Sequence, residues 1–540
     1  MKNEDGHEGR TEAMNKSQTL LRVTLILAAI VLVNLLAMRF FTRFDLTRGK
    51  MYTLSDVSKN LMKTLDDKFT VKAYFTSDLP APYNNNRRYL QDQLDEYRAY
   101  SDGNFRYEFI DPSKKDELKQ EAQKYGIPEV QVQVVKEDKL QIQPAFMGLV
   151  MLYGDKQERL PVVRPESNLE YEISSAVKKM TTKELKKIGF LSGHGEPQLS
   201  QLGKLQEILN KQYQVTTVDL SSGRAVPSDI AALMIVAPDK PFKSWEKFLI
   251  DQYLMKGGRI GFFVNKVNAT LQDQMGRPLS LELDDIMEAY GVRVNTDLVR
   301  DASCATVTVQ QPFGSMMIQN LMPFYYLPKA IDFEKSSPIV KDLSSVVFYF
   351  ASSIDTSIAR TRGLTTQVLV RSTKHSGRQE NFFYMNPTAQ VSQDMFKESG
   401  IPMAVTVEGA FVSAFANKPI GIDSSVQSTL DTTNKQVSSR LSKIAVVGDG
   451  DFLQDQLSGG NRDNFLLATN IVDYLADDIG LASIRSRDSD VKPLDEVSEG
   501  TRTWVKGINL ALPPLVILLV GVVRWRWRAT LRKRLEARAL

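Results

Sequence analysis

Two long apolar stretches, one near each end, constrain this chain more than any other feature. A segment of spanning length and such composition has to be buried in lipid or in a protein core. Residues 20–41 read LLRVTLILAAIVLVNLLAMRFF, interrupted by Asn34 and flanked by Arg22 and Arg39. Only 16 residues separate the two arginines, but both side chains can snorkel and so extend the segment to a spanning length. No small-x-small cleavage site follows, so an uncleaved anchor is expected rather than a signal peptide. The second stretch, GINLALPPLVILLVGVV at 507–523, sits in an expected span over 505–523. Its Pro513-Pro514 pair predicts a kink of the kind bilayers tolerate. Trp504, Trp525 and Trp527, three of the four tryptophans, flank it as an interfacial belt would.

Charge orients these segments. Residues 524–540 carry seven Lys/Arg against one Glu, a net +6 in a chain whose total is +4, which leaves −2 for the other 523 residues. A basic, Trp-interleaved run could grip nucleic acid, but directly after an apolar span it reads as a cytoplasmic flank, and no nucleic-acid partner is expected. The first span alone is ambiguous, because Arg39, Arg43, Arg48 and Lys50 follow it; the C-terminal tail decides. The expectation is a two-pass inner-membrane protein with cytoplasmic tails at 1–19 and 524–540, and with the bulk of the chain outside, in contact with inner-membrane lipid. A mean hydropathy of −0.24 excludes a polytopic channel. The lone Cys304 excludes an intramolecular disulfide framework, and three histidines leave few zinc ligands. No metal and no cofactor are expected.

The external part divides into two α/β domains. In 42–183, a helix opening at Thr53 or Ser55 precedes a strand at 69–75, a helix at 87–100, a strand at 104–110 and a helix at 113–125. Strands at 129–135, 145–153 and 158–163 and a helix at 168–180 follow. This β-α-β-α-β-β-α order resembles a thioredoxin-like fold without CxxC, with Pro128 where such folds carry a cis-proline. An unrelated α+β domain is the alternative. In 184–482, strands at 186–192, 214–220 and 231–237 alternate with helices at 199–212 and 244–256. A strand follows Gly257-Gly258, and a last strand and turn at 443–454 precede an amphipathic helix at 464–478. Such alternation predicts a parallel, doubly wound sheet. Residues 265–440 read as an insertion, β-rich near 304–310, 345–351, 366–371 and 403–415, and 483–504 as a polar linker.

The candidate site lies in two turns after strands, Gly193-His194-Gly195-Glu196 and Gly448-Asp449-Gly450-Asp451. Ligands of open α/β sheets bind beyond the carboxyl ends of strands. His194, Glu196, Asp449 and Asp451 are therefore the expected ligand-binding residues. Helix capping is the plain alternative, and acid/base catalysis or weak cation binding would use the same groups. No Walker A sequence is present, so any ATP hydrolysis is supplied by another chain.

RFDLTRGKMYTLS after the first span, then GFLSGHGEPQ, VEGAFVSAF, VVGDGDFL and NRDNFLLATNIVDYLADD, together resemble the GldG family, auxiliary membrane components of a gliding-motility-associated ABC transporter. The resemblance covers nearly all of 20–535. It implies a multi-span ABC permease and a cytoplasmic ATPase as partners. It also implies an extracytoplasmic substrate-binding module whose α/β part is similar to class I glutamine amidotransferases. Those enzymes carry a nucleophilic cysteine after a central strand, where this chain has Ala237-Pro238-Asp239. The expectation is thus a non-enzymatic ABC-transporter subunit binding an unknown ligand or envelope protein, with a membrane-tethered hydrolase or a pure envelope scaffold as alternatives.

Overall fold

The computed structural model describes residues 53–536, apart from 78, 80–82, 137–138, 164–167, 183, 273, 314–315, 341–342, 390–391, 425, 477–483 and 485–498, together with Leu25 and Ile26. The N-terminal tail, the remainder of the first span at 20–41 and most of the linker at 483–504 lie outside the described residues.

The first sheet forms between α1 (Asp56–Lys63) and α4 (Leu169–Thr181). Its strands are β1 (Phe69–Phe75), β2 (Phe105–Ile110), β5 (Met147–Tyr153) and β6 (Lys156–Leu160), in the order β2-β1-β5-β6. β1 runs parallel to β2 across α2 (Tyr83–Ala99) and antiparallel to β5. Alternation along β1 sends Phe69, Val71, Ala73 and Phe75 to a core shared with Leu90 and Leu94 of α2 and Ile173 and Val177 of α4. Tyr74 faces the other way, towards Ala122 of α3 (Asp116–Lys124). One strand expected at 129–135 is half of a hairpin, β3 (Val130–Lys136) with β4 (Lys139–Ala145), which is separate from the four-stranded sheet. Pro128 precedes that hairpin and not the strand that joins β1.

The second sheet has eight strands. They are β7 (Lys187–Ser192), β8 (Gln214–Asp219), β9 (Ile230–Val236), β10 (Ile260–Phe263), β13 (Asp332–Phe333), β14 (Thr365–Arg371), β15 (Pro402–Val412) and β16 (Ser438–Val447). Their order is β13-β14-β15-β16-β10-β9-β7-β8. The five from β16 to β8 are parallel, as alternating strands and helices predict. Residues 265–440 are not wholly an insertion, because β13, β14 and β15 extend this same sheet in antiparallel fashion. The same segment forms a hairpin, β11 (Cys304–Phe313) with β12 (Met316–Ala330).

Helices cover both faces. Ala232, Met234 and Val236 of β9 pack with α5 (Gly203–Leu209) and α7 (Arg462–Leu475), while Leu233 and Ile235 pack with α6 (Ser244–Met255). The expected helix at 199–212 divides into a 3₁₀ turn, Leu199–Leu202, and α5. The sequence of α7 looks amphipathic, yet every residue from Asp463 to Leu475 is buried. Ile339, Val340, Leu343 and Val346 pack in the same core as this helix, and its polar residues satisfy backbone groups of Ile339, Ser344, Ser345 and Val347. Asp463 Oδ2 accepts from the Ser344 and Ser345 N–H groups at 2.7 and 2.9 Å. Asn470 Nδ2 donates to the Ile339 carbonyl at 2.8 Å. Asn464 accepts from Val347 N at 3.0 Å and donates to its carbonyl at 2.9 Å, as a neighbouring strand would.

Residues 489–540 form a separate unit. They contain α8 (Glu499–Glu536), 38 residues long and helical across Pro513 and Pro514. Thr503–Thr530 is long and apolar enough to cross a bilayer, and the side chains from Leu515 to Val520 are exposed.

Asn464→Ala removes the partner of both backbone groups of half-buried Val347, and each group left unpaired away from water costs about 1–3 kcal/mol. Urea denaturation should therefore show a loss of about 2 kcal/mol or more. A loss within about 0.5 kcal/mol, typical of a neutral surface change, would mean that water replaces the amide.

Candidate functional site

In chain order the five parallel strands pair as 2-1-3-4-5, so the sheet grows to one side of β7 and then reverses. The turns after β7 and β9 diverge at that reversal, which is where open α/β sheets form a crevice. A cleft of about 430 Å³ occupies this edge, lined by Glu196, Ala237, Asp239, Asn265, Tyr349 and Asp451 among others.

The turns interlock through their backbones. Asp239 and Lys240 donate N–H bonds to the His194 carbonyl at 2.8 and 3.0 Å. Gly195 has φ of 82°, and a Cβ there would lie 1.6 Å from Asp239 Oδ1, so only glycine meets both demands. Gly450 is held against backbone, since a Cβ on it would lie 2.6 Å from both Ala237 N and the Phe263 carbonyl.

The four expected residues separate into pairs with different surroundings. Glu196 and Asp451 line the cleft; His194 and Asp449 are buried and do not. His194 stacks on Phe242, with ring centroids 3.8 Å apart. Its Nε2 lies 3.0 Å from Glu246 Oε2 and its Nδ1 3.6 Å from Glu196 Oε1, while its backbone N–H donates to Glu196 Oε2 at 2.6 Å. Burial alone would lower the imidazole pKa, but hydrogen bonding and charge from Glu196 and Glu246 prevail and raise it to about 9. His194 is thus an imidazolium held between two carboxylates at neutral pH.

Asp449 is fully buried; its Oδ2 accepts from Tyr349 N at 2.6 Å and its Oδ1 from Asp451 N at 2.8 Å. Burial and the charge of Asp451 push its carboxyl well above the usual range, against the backbone N–H groups of Tyr349, Asp451 and Phe452. Asp451 accepts from Asn265 Nδ2 and Gln454 Nε2, each at 2.8 Å. Burial nevertheless pushes its pKa up to about 6. Among the described residues no group of three or more His, Cys, Asp and Glu is placed to hold a metal ion.

Sequence reasoning missed Glu246, Asn265 and Asp239. Glu246 carried a local signal, because it caps α6 by accepting from Lys243 N at 2.7 Å. Its contact with His194 depends on a tertiary approach across fifty residues that no spacing reveals. Asn265 follows β10 directly and was legible only as a residue at a strand's carboxyl end.

Two titrations beside the cleft contribute to the pH dependence of stability. The folded-state pKa of His194 is raised from 6.5 to about 9, so its contribution is complete below pH 6.5 and lost as pH rises through 9. Asp451 is raised from 3.8 to about 6, so the folded state also loses stability as its carboxyl ionises between those values. Melting temperature should fall from pH 4 to 6 and again from 6.5 to 9. His194→Ala should remove the second decline and keep the first; an unchanged upper limb would reject the imidazolium assignment.

Comparison with known proteins places this geometry. Residues 48–152 match a domain of unknown function. An uncharacterized protein of Borreliella burgdorferi is 24% identical over 534 residues, covering 95% of this chain and 98% of the relative. The mmIFT52 N-terminal domain superposes with a TM-score of 0.32 at 12% identity, covering 54% of this chain and 97% of that one. Residues 185–476, just over half of the chain and the whole eight-stranded sheet, match the family described as an ABC-type uncharacterized transport system. The chain belongs to that family, as an auxiliary protein of an ABC transporter.

Proposed function

We propose that the protein is a non-enzymatic, membrane-anchored accessory subunit of the GldG type, whose external domains present a ligand-binding cleft to a multi-span permease driven by a separate cytoplasmic ATPase. The family match over 185–476 carries this reading. The apolar helix Thr503–Thr530 and the +6 segment after it support an inner-membrane anchor with a cytoplasmic C-terminus. A second anchor at 20–41 returns the N-terminus to the cytoplasm and leaves the α/β domains in the periplasm.

Three features favour binding over catalysis. Ala237 follows β9 with φ of 42°, and a methyl group there cannot act as a nucleophile. His194, already protonated at neutral pH and absent from the cleft wall, is unsuited to general-base work. The element order and sheet order of 53–181 support a thioredoxin-like module, and without CxxC such a module serves as a spacer or docking unit.

Native-level purification in mild detergent should recover a permease and an ATPase with the full chain, identified by mass spectrometry. Recovery of the chain alone would overturn the subunit assignment. A fluorescent protein fused after Leu540 should fluoresce, as a cytoplasmic C-terminus requires; a dark fusion of full length would reverse the orientation.

A further inference from the structure

The cleft at the β7–β9 reversal has an unusual polar inventory. Among the described residues no Lys, Arg or His lines it, which leaves nothing to neutralise a phosphate or carboxylate ligand. Of its three carboxylates, Glu196 and Asp451 are tied to the protein and only Asp239 is exposed, too few for a cation site. Both Asp451 oxygens are taken by Asn265 and Gln454, and Glu196 Oε2 is taken by the His194 N–H. A compact cation would need those oxygens, so the acidic residues do not amount to a cation cage.

What remains is rich in carboxamides. Asn268, at the end of a two-residue strand, and Gln272 and Gln456, on loops, line the cleft with exposed side chains, and each offers an N–H donor beside a carbonyl acceptor. Such a pair matches two hydroxyls on adjacent carbons, where one oxygen accepts and the other donates. Phosphates and amines use only half of that capacity. The volume, about 430 Å³, lies inside the range of roughly 300–1,000 Å³ for small-molecule sites. Two non-glycine residues on the wall, Ala237 and Phe350, hold φ of 42° and 57°. Strain of this kind concentrates where a fold is shaped around a ligand.

We infer that the cleft binds a neutral, hydroxyl-rich ligand of the carbohydrate class through Asn268, Gln272 and Gln456. This rests on the reading of the external domains as a ligand-binding module and specifies what that module takes. The committed carboxylates shape the site and orient Asn265 and Gln454; the uncommitted carboxamides select the hydroxyl pattern.

The test uses the full chain in lipid nanodiscs, because glycoside detergents would themselves occupy such a cleft. Maltotriose, cellotriose and chitotriose are titrated by saturation-transfer NMR, with spermidine and inorganic phosphate as cationic and anionic probes. At least one trisaccharide should saturate below about 1 mM, the Asn268→Ala/Gln456→Ala double variant should weaken it by about tenfold or more, and neither charged probe should displace it. Saturation by spermidine or phosphate in place of sugar would overturn the inference. So would no saturation by any trisaccharide up to about 10 mM, or affinity unchanged in the double variant. Co-purification of permease and ATPase is read separately, so a failed sugar titration with an intact complex rejects the ligand class alone.

Discussion

At the carboxyl edge of β7 the chain leaves to form β8 on one side of the sheet, and it returns as β9 on the other. Backbone turns on two adjacent strands must then run apart, and the space between them has to be closed by side chains or left open. Here it is left open, and the contacts around it hold it so. Gly195 and Gly450 let the turns after β7 and β16 approach the turn after β9 within distances no side chain would permit.

The buried charge beside the cleft follows from the same crowding. Once Gly193 and Gly195 allow the loop to fold over, the His194 ring lies against Phe242, and both its nitrogens face carboxylates. A neutral imidazole would leave Glu196 and Glu246 as uncompensated buried anions, so the ring holds its proton. The group that looks most like a catalytic base in the sequence is therefore a structural cation. Its positive charge is cancelled before it reaches the cleft, and this helps to keep the wall free of accessible cations.

Much of the architecture was legible because it depends on local periodicity. The strands from β7 to β10, the paired GHGE and GDGD turns, the apolar helix near the C-terminus and the β-α-β start of the first domain all announce themselves through alternation, glycine placement or unbroken apolar runs. What stayed hidden depends on pairing over long separations. The antiparallel strands β13, β14 and β15 look like an insertion because nothing local tells a strand which edge it will join. The helix α7 looks half-exposed because Asp463, Asn464 and Asn470 are polar, whereas each bonds the backbone of Ile339, Ser344, Ser345 or Val347, more than one hundred residues away. For the site, Glu196 and Asp451 line one crevice at the carboxyl edge of the strands. The roles of Glu246, Asp239 and Asn265 required the tertiary approach of three turns.

The turn 448–451 shows why capping and function need not be opposed as explanations. Asp449 accepts from its own turn through Asp451 N, as any short aspartate turn would, and also from Tyr349 N on a segment one hundred residues away. That second bond anchors Tyr349, next to the strained Phe350, and both form the cleft wall opposite Glu196 and Asp239. A buried carboxyl group whose oxygens accept backbone N–H bonds from two separate segments can hold a loop against its conformational preference. A surface aspartate, free to exchange those donors for water, could not. Asp449 is accordingly a positioning residue: it is not part of the cleft wall, yet it holds the backbone of Tyr349, which is.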